Sequence, residues 1–303
     1  MFRFNTTLLA VAILCLGTTS AHANTGLESL PIGSVVKGTA QLEKKQFPLP
    51  PGDWQLVSRE RRVWSGGAGG GGPFVFIYLA QFENGVLAKA ISAQTNLEPT
   101  GGGWVRDRTI CDRADVHHAV FDRNYNVRDA ECWTVNHLGM SLENNAWQVV
   151  KDFFRATDDK KRPKTALGIS YFLVSHNDHL RLIYYTNPEL AGFEPTPTAA
   201  WPGNHWHRDV MAGDAKRVAY IQQLKAEGEK LLPLVKAGLR GALPPGTIVS
   251  PGASPPPAQV SAPSSPSSGD AAERMRQLKR LFDEKLITEA EYDDRRRKVL
   301  DGM

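Results

Sequence analysis

Between Pro244 and Gly269 the chain carries eight prolines among Ser, Ala and Gly, and no charged residue. Such a stretch has too little apolar surface to bury and favours extended polyproline II. Whatever folds must therefore fold on one side of it or the other. At about 3 Å per residue the stretch reaches as far as ~80 Å, the length of a tether. On one side lie residues 24–243, long enough to bury a core as one large domain or two small ones. On the other lies a short tail, residues 270–303.

The main region reads as strands in hairpins. Asp53 to Trp64 alternates, with Trp54, Leu56, Val63 and Trp64 as its apolar members. Phe74 to Phe82 and Val86 to Ala93 flank Asn84-Gly85, the strongest short-range hairpin signal because both residues tolerate positive φ. Further strands are expected over Trp104 to Cys111 and Cys132 to Val135, and over Leu167 to Ser175 and Leu180 to Thr186. The last two are separated by a turn, His176-Asn177-Asp178-His179. A helix capped by Asn144 or Asn145 runs to Arg155. A longer one, Asp214 to Leu239, carries the stripe Val218, Ile221, Leu224, Leu231, Val235 and Leu239, with Gly228 and Pro233 placed to interrupt or bend it. Hairpin strands with helices inserted late predict an α+β domain, a mainly antiparallel sheet with covering helices.

The first 23 residues read as a signal peptide. Arg3 precedes the apolar run Leu8 to Leu16, which is too short for a bilayer, and Ala21-His22-Ala23 supplies the small residues read at cleavage. Leu14 is too large for a lipoprotein motif before Cys15. Removing Arg3 takes the formal charge from +4 to +3, too slight and too scattered for a nucleic-acid surface. No transmembrane span is expected. The mature cysteines, Cys111 and Cys132, suit a disulfide in an oxidising compartment. The rival role, a Cys111 thiol using His117 as base, conflicts with export.

Few motifs point to chemistry. Gly67, Gly69 and Gly72 match the spacing G-x-G-x-x-G, but a strand follows where a phosphate site needs a helix N-terminus. No cofactor is expected. Metal-ligand candidates are His205 and His207, offered from one extended segment, with His176 and His179 closing the set from a hairpin. No H-E-x-x-H or G-x-S-x-G pattern accompanies them.

The tail has the signature of two short helices. Asp270 and Glu273, then Thr288 and Glu291, form capping-box pairs. Met275, Leu278, Leu281 and Phe282 share one face. Leu286 and Ile287 form the corner, and Tyr292, Val299 and Leu300 make a second stripe. The run Leu281-Phe282-Asp283-Glu284-Lys285-Leu286-Ile287-Thr288-Glu289-Ala290-Glu291-Tyr292 resembles the short C-terminal domain (SHOCT) family, with Lys285 where that family has Gly. The resemblance covers about a tenth of the chain. It implies an accessory interaction or oligomerisation module, without catalytic residues, of a mainly prokaryotic kind. The basic run Arg295 to Lys298 could meet anionic lipid, but Glu291, Asp293 and Asp294 each stand four residues before one of its cations, a self-paired helix face.

Three functions remain open. The first is a non-enzymatic envelope or periplasmic protein whose tail docks on itself or on another envelope protein. The others are a metal-dependent hydrolase using the loop histidines and a periplasmic ligand-binding domain.

Overall fold

The structure, a computed structural model, describes residues 26–65, 71–99, 111, 113, 116–121, 129–140, 148–156, 161–196 and 203–244, together with Lys279, Tyr292, Asp293, Arg296 and Arg297 of the tail. The chain divides into two compact units, Met1–Ala253 and Ser254–Met303. The five described tail residues are helical. The tail's apolar face, apart from Tyr292, lies outside the described residues, as do the leader, the 66–70 glycines and the expected strand from Trp104 up to Cys111.

The first unit is built on an eight-stranded antiparallel sheet of order β1-β4-β5-β6-β10-β9-β8-β7. Its strands are β1 (Val35–Val36), β4 (Trp54–Ser65), β5 (Gly71–Glu83), β6 (Val86–Asn96), β7 (His118–Phe121), β8 (Asp129–Gly139), β9 (Thr165–Ser175) and β10 (Asp178–Thr186). A separate hairpin joins β2 (Thr39–Leu42) to β3 (Lys45–Pro48). Among the described residues the α-helices are α1 (Gln148–Ala156), the single turn α2 (Arg208–Met211) and α3 (Ala215–Leu239), with a 3-10 turn over Pro188–Ala191. The α+β, mainly antiparallel architecture is the one the sequence predicts. The chain lays down β4-β5-β6 from one side, crosses to the far edge, and returns through β7, β8 and β9 until β10 closes against β6.

Turn chemistry sets the two long hairpins. Asn84 and Gly85 have φ of 50° and 78°, both positive, as a tight primed turn requires. The β9–β10 turn is equally short: His176 alone among its non-glycine residues takes a positive φ, 57°, and Asp178 already pairs with Ser175. The expected four-residue turn is therefore too long by two residues, and Asp178 and His179 belong to the sheet. The strand β7 and the β2–β3 hairpin, each strand only four residues long, are not among the strands the sequence reading expects.

One face of the sheet is covered by α3 and the β2–β3 hairpin. Ile77, Ile91, Trp133, Ile169, Tyr171 and Leu182 from the strands meet Ile221, Leu224, Leu231 and Val235 from α3 and Phe47 from β3 in one core. Asp214 caps α3 by accepting from the Arg217 N–H. The helix runs unbroken through Gly228 and Pro233. Pro233 is exposed, so its missing N–H falls on the solvent side, and Gly228 lies buried against Trp133. The opposite face carries two smaller clusters. One groups Phe74, Phe172 and Val174 with the two cysteines. The other receives Val150 and Phe154 of α1 beside Tyr78 and Ala80.

Candidate functional site

The cysteine pair is where the sequence places it. Cys111 and Cys132 join with sulfurs 2.18 Å apart and Cα atoms 5.7 Å apart, both buried against Phe74 and Phe172. The pair ties Cys111 to β8, closing a loop of sequence separation 21. Reduction is expected to lower stability by about 3 kcal/mol through the freed loop entropy. Urea midpoints with and without reductant check this; identical midpoints would contradict it.

The four histidines proposed as metal ligands do not meet. Asn204 donates to Thr165 Oγ1 at 2.7 Å, which puts His205 and His207 at the start of β9. His179 pairs with Val174 at the end of that strand. At about 3.3 Å per residue, roughly 30 Å separates the two pairs. His176 sits exposed at the hairpin tip with Ser175 Oγ 3.4 Å from its Nδ1. His179, expected in a loop, is 3 % exposed, with its ring 5.1 Å from Phe172 and 5.7 Å from Phe74. Burial, with Arg181 and Lys45 adding to it, pushes its pKa down to about 3, so it is a neutral core ring.

A different histidine set is brought together instead. His117, just before β7, and His207, at the N-cap of α2, both lie against His137 of β8, with ring centroids 5.7 Å and 6.0 Å away. His137 is 1 % exposed. The ring of His117 hydrogen-bonds the backbone of Trp206, while its Nε2 is buried without a hydrogen-bond partner among the described residues. Burial lowers the His117 pKa to about 4, with Arg208, His207 and Arg113 contributing. His207 Nδ1 accepts from the Asp209 N–H at 3.3 Å. Next door, His118 lies 4.5 Å from Trp133, its pKa lowered first by burial and then by Lys225. His117 and His137 are visible in the sequence but sit twenty residues apart, one just before β7 and the other on β8; only the β7–β8 register joins them. Among the described residues no three His, Cys, Asp or Glu side chains are placed to hold a metal ion.

The sheet face away from α3 carries a band of polar side chains interrupted by Ile183. Register aligns Ser58 with Tyr78, Tyr78 with Ser92, Ser92 with Ile183, Ile183 with Ser170 and Ser170 with Thr134. All six are buried. Burial raises the pKa of Tyr185 beside them, against the pull of Arg181 and a hydrogen bond with Ser92. A depression between Leu87, Ala90, Pro163 and Tyr185 is too tight for a water molecule.

Elsewhere the buried polar groups act as ties. Tyr171 Oη donates to the Gly228 carbonyl at 2.8 Å, fixing α3 to β9. Tyr184 Oη donates to the Pro48 carbonyl at 3.0 Å, fixing the β2–β3 hairpin to β10. Lys45 reaches Asp178 Oδ1 at 2.5 Å and the Asn96 carbonyl at 3.5 Å, pinning that hairpin to the β9–β10 turn. Asn187 Nδ2 donates to the Leu87 carbonyl at 2.9 Å.

Fold and site together define a disulfide-bearing α+β domain, with the cysteines toward one end of the sheet and a histidine cluster at the other. The chain matches no family model, no curated protein and no solved structure. Among the described residues no helix is long and apolar enough to cross a membrane.

Proposed function

We propose that this chain is an exported, non-enzymatic envelope protein, a rigid α+β scaffold whose Pro-rich tether carries a docking hairpin. The observation behind this reading is the use made of the buried polar groups. Tyr171, Tyr184, Lys45 and Asn187 bond the backbone or a charge of a distant segment rather than converge on an open space. Groups arranged this way hold a fold rigid; chemistry needs them aimed at a common point. The disulfide pair is in keeping with export, because such bonds persist in oxidising compartments. A hydrolase built on His176, His179, His205 and His207 has no support from the geometry.

The SHOCT-like hairpin supplies the interaction part of the reading. In the sequence, Met275, Leu278, Leu281, Phe282, Leu286, Ile287, Tyr292, Val299 and Leu300 are the apolar positions of a tail of fewer than 40 residues, too few to bury such a face alone. A second copy of the chain or another envelope protein covers it. Sedimentation of residues 24–303 is expected to show concentration-dependent association that residues 24–244 lack. Equal monomer masses for both at all concentrations, with no partner captured by the longer chain from an envelope extract, would sink the docking role.

A further inference from the structure

The eight-stranded sheet is not closed, and the edge formed by β4 is open along its far end. β1 covers only Trp54 and Gln55. Just beyond, the Leu56 N–H donates to the Ser34 carbonyl and the Leu56 carbonyl accepts from the Gly33 N–H, each at 2.8 Å. From Arg59 to Ser65, among the described residues, no backbone bond reaches β4 from any segment other than β5. Register then identifies the backbone groups that stand open. The polar groups of Leu56 point outward, so its pairing with Leu79 is a non-hydrogen-bonded one, and the same holds at every second residue along β5: Ile77, Val75 and Pro73. Past the one-residue slip after Leu56, their partners are Arg59, Arg61 and Val63, whose N–H and C=O therefore point away from the sheet. Pro73 is an independent check. It has no N–H to give β4, and its carbonyl accepts from Leu97 at 2.9 Å on the β6 side.

The geometry points to a docking edge: residues 59–65 of β4 take an extended, acidic segment of a partner protein as a ninth strand of the sheet. Open edges are ordinarily blunted by shortness, proline, charge or a covering segment. β4 is twelve residues long and has no proline. The charge it does carry is one-sided. Arg59, Arg61 and Arg62 stand against Glu60, whose carboxylate is already held by Arg62 through bonds of 2.5 and 3.0 Å. Arg59 is tied to the neutral carbonyls of Glu28 and Leu30 and keeps its charge. Arg61, its side chain 62 % exposed, comes no nearer to Glu43 than 3.9 Å. Two copies paired across Arg61 would set like charges directly opposite each other, which opposes that self-pairing. An acidic strand meets the same row favourably.

Side chains add a sequence preference. Arg61 and Val63 share the α3 side of the sheet with Val75 and Ile77, and Val63 is 81 % exposed. Arg62 is on the opposite face, 5.7 Å over the Phe76 ring. An antiparallel partner that matches this edge runs apolar, acidic, acidic across Val63, Arg62 and Arg61. Main-chain bonds to Arg61 and Val63 supply the affinity, and these side chains the choice of partner. The edge belongs wholly to the first unit and acts independently of the tail.

Fluorescence anisotropy of a labelled peptide titrated with the full chain tests this. The probe is an end-blocked Thr-Val-Ile-Glu-Glu-Thr-Glu, its Ile set against Val63 and its three glutamates against Arg62, Arg61 and Arg59. It should bind saturably with a Kd below about 1 mM. Methylating the amide nitrogens of its Ile and second Glu, the two that face Val63 and Arg61, should weaken binding at least about tenfold, and so should exchanging its glutamates for lysines. Val63→Pro removes an outward N–H at an edge position where strands tolerate proline, and should also weaken binding at least about tenfold. If that variant does not fold, Arg61→Glu serves and should bind the lysine peptide better than the glutamate one. Three outcomes overturn the docking edge: no saturable binding up to about 1 mM, equal binding of the N-methylated peptide, or undiminished binding by the variant. A dimer of the full chain that Val63→Pro abolishes, with no peptide bound, would overturn the acidic partner and make a second copy the occupant.

Discussion

Replacing Gly238 with Ala is expected to destabilise the protein by about 2–4 kcal/mol, although the same change within a helix ordinarily stabilises by up to about 1 kcal/mol. Gly238 is buried one residue before the end of α3. A Cβ built there would stand 1.9 Å from the Gln46 carbonyl oxygen and 2.8 Å from its carbon. The obstacle is backbone of β3, so no rotamer change relieves it. The helix and the β2–β3 hairpin would have to separate, loosening Val235 and Phe47 in the core and straining the bond from the Leu243 N–H to Gln46 Oε1. Gly228 makes the contrast. There the added atom meets the Trp133 ring edge at 2.5 Å and the Ile169 methyl at 3.0 Å, both side-chain atoms that can shift. Gly228→Ala should therefore cost less. Urea unfolding of both variants decides the matter, and a Gly238→Ala protein as stable as the wild type would refute the close approach of α3 to β3.

That approach also marks where sequence reasoning stops. The strands of the central hairpins could be read because their patterns are local: Asn84-Gly85 declares its own turn, and alternation names the residues facing α3. The α3 stripe was equally legible, since Ile221, Leu224, Leu231 and Val235 recur at helical spacing and all enter the core. Gly238 gave no sign of being indispensable, because the reason lies in a carbonyl nearly two hundred residues earlier. His179 was misplaced for a related cause. Counting His176-Asn177-Asp178-His179 as one turn follows from their polarity, but positive φ at His176 closes the hairpin after two residues and puts His179 in the strand, facing Phe74 and Phe172. The true histidine neighbours were hidden because proximity across β7 and β8 depends on register, which polar flanking residues do not specify. The β2–β3 hairpin was missed because its polar residues are put to use: Lys45 is buried through its bond to Asp178, not through hydrophobicity.

The buried position of His179 leads to the second large effect, a loss of stability in mild acid. Its folded pKa of about 3 lies below the ordinary 6.5 of the unfolded chain. The unfolded state thus binds the extra proton over that window, and stability falls as pH drops below about 6.5 and continues falling to about 3. Each pH unit in between removes up to about 1.4 kcal/mol per such histidine. Between pH 7 and pH 4, His179 accounts for about 3 kcal/mol, a large share of a typical domain's margin. His117 acts with the same sign over a narrower window, down to about pH 4. The site can accept an apolar side chain, because the ring is enclosed by Phe74 and Phe172 and its charge is opposed by Arg181 and Lys45. His179→Leu is of similar volume and should stay within about 1.5 kcal/mol of the wild type at pH 7.5. Its unfolding free energy should fall more gently on acidification, so that the variant overtakes the wild type near pH 4. Parallel stability curves for the two proteins from pH 7 to pH 4 would show that the proton goes elsewhere.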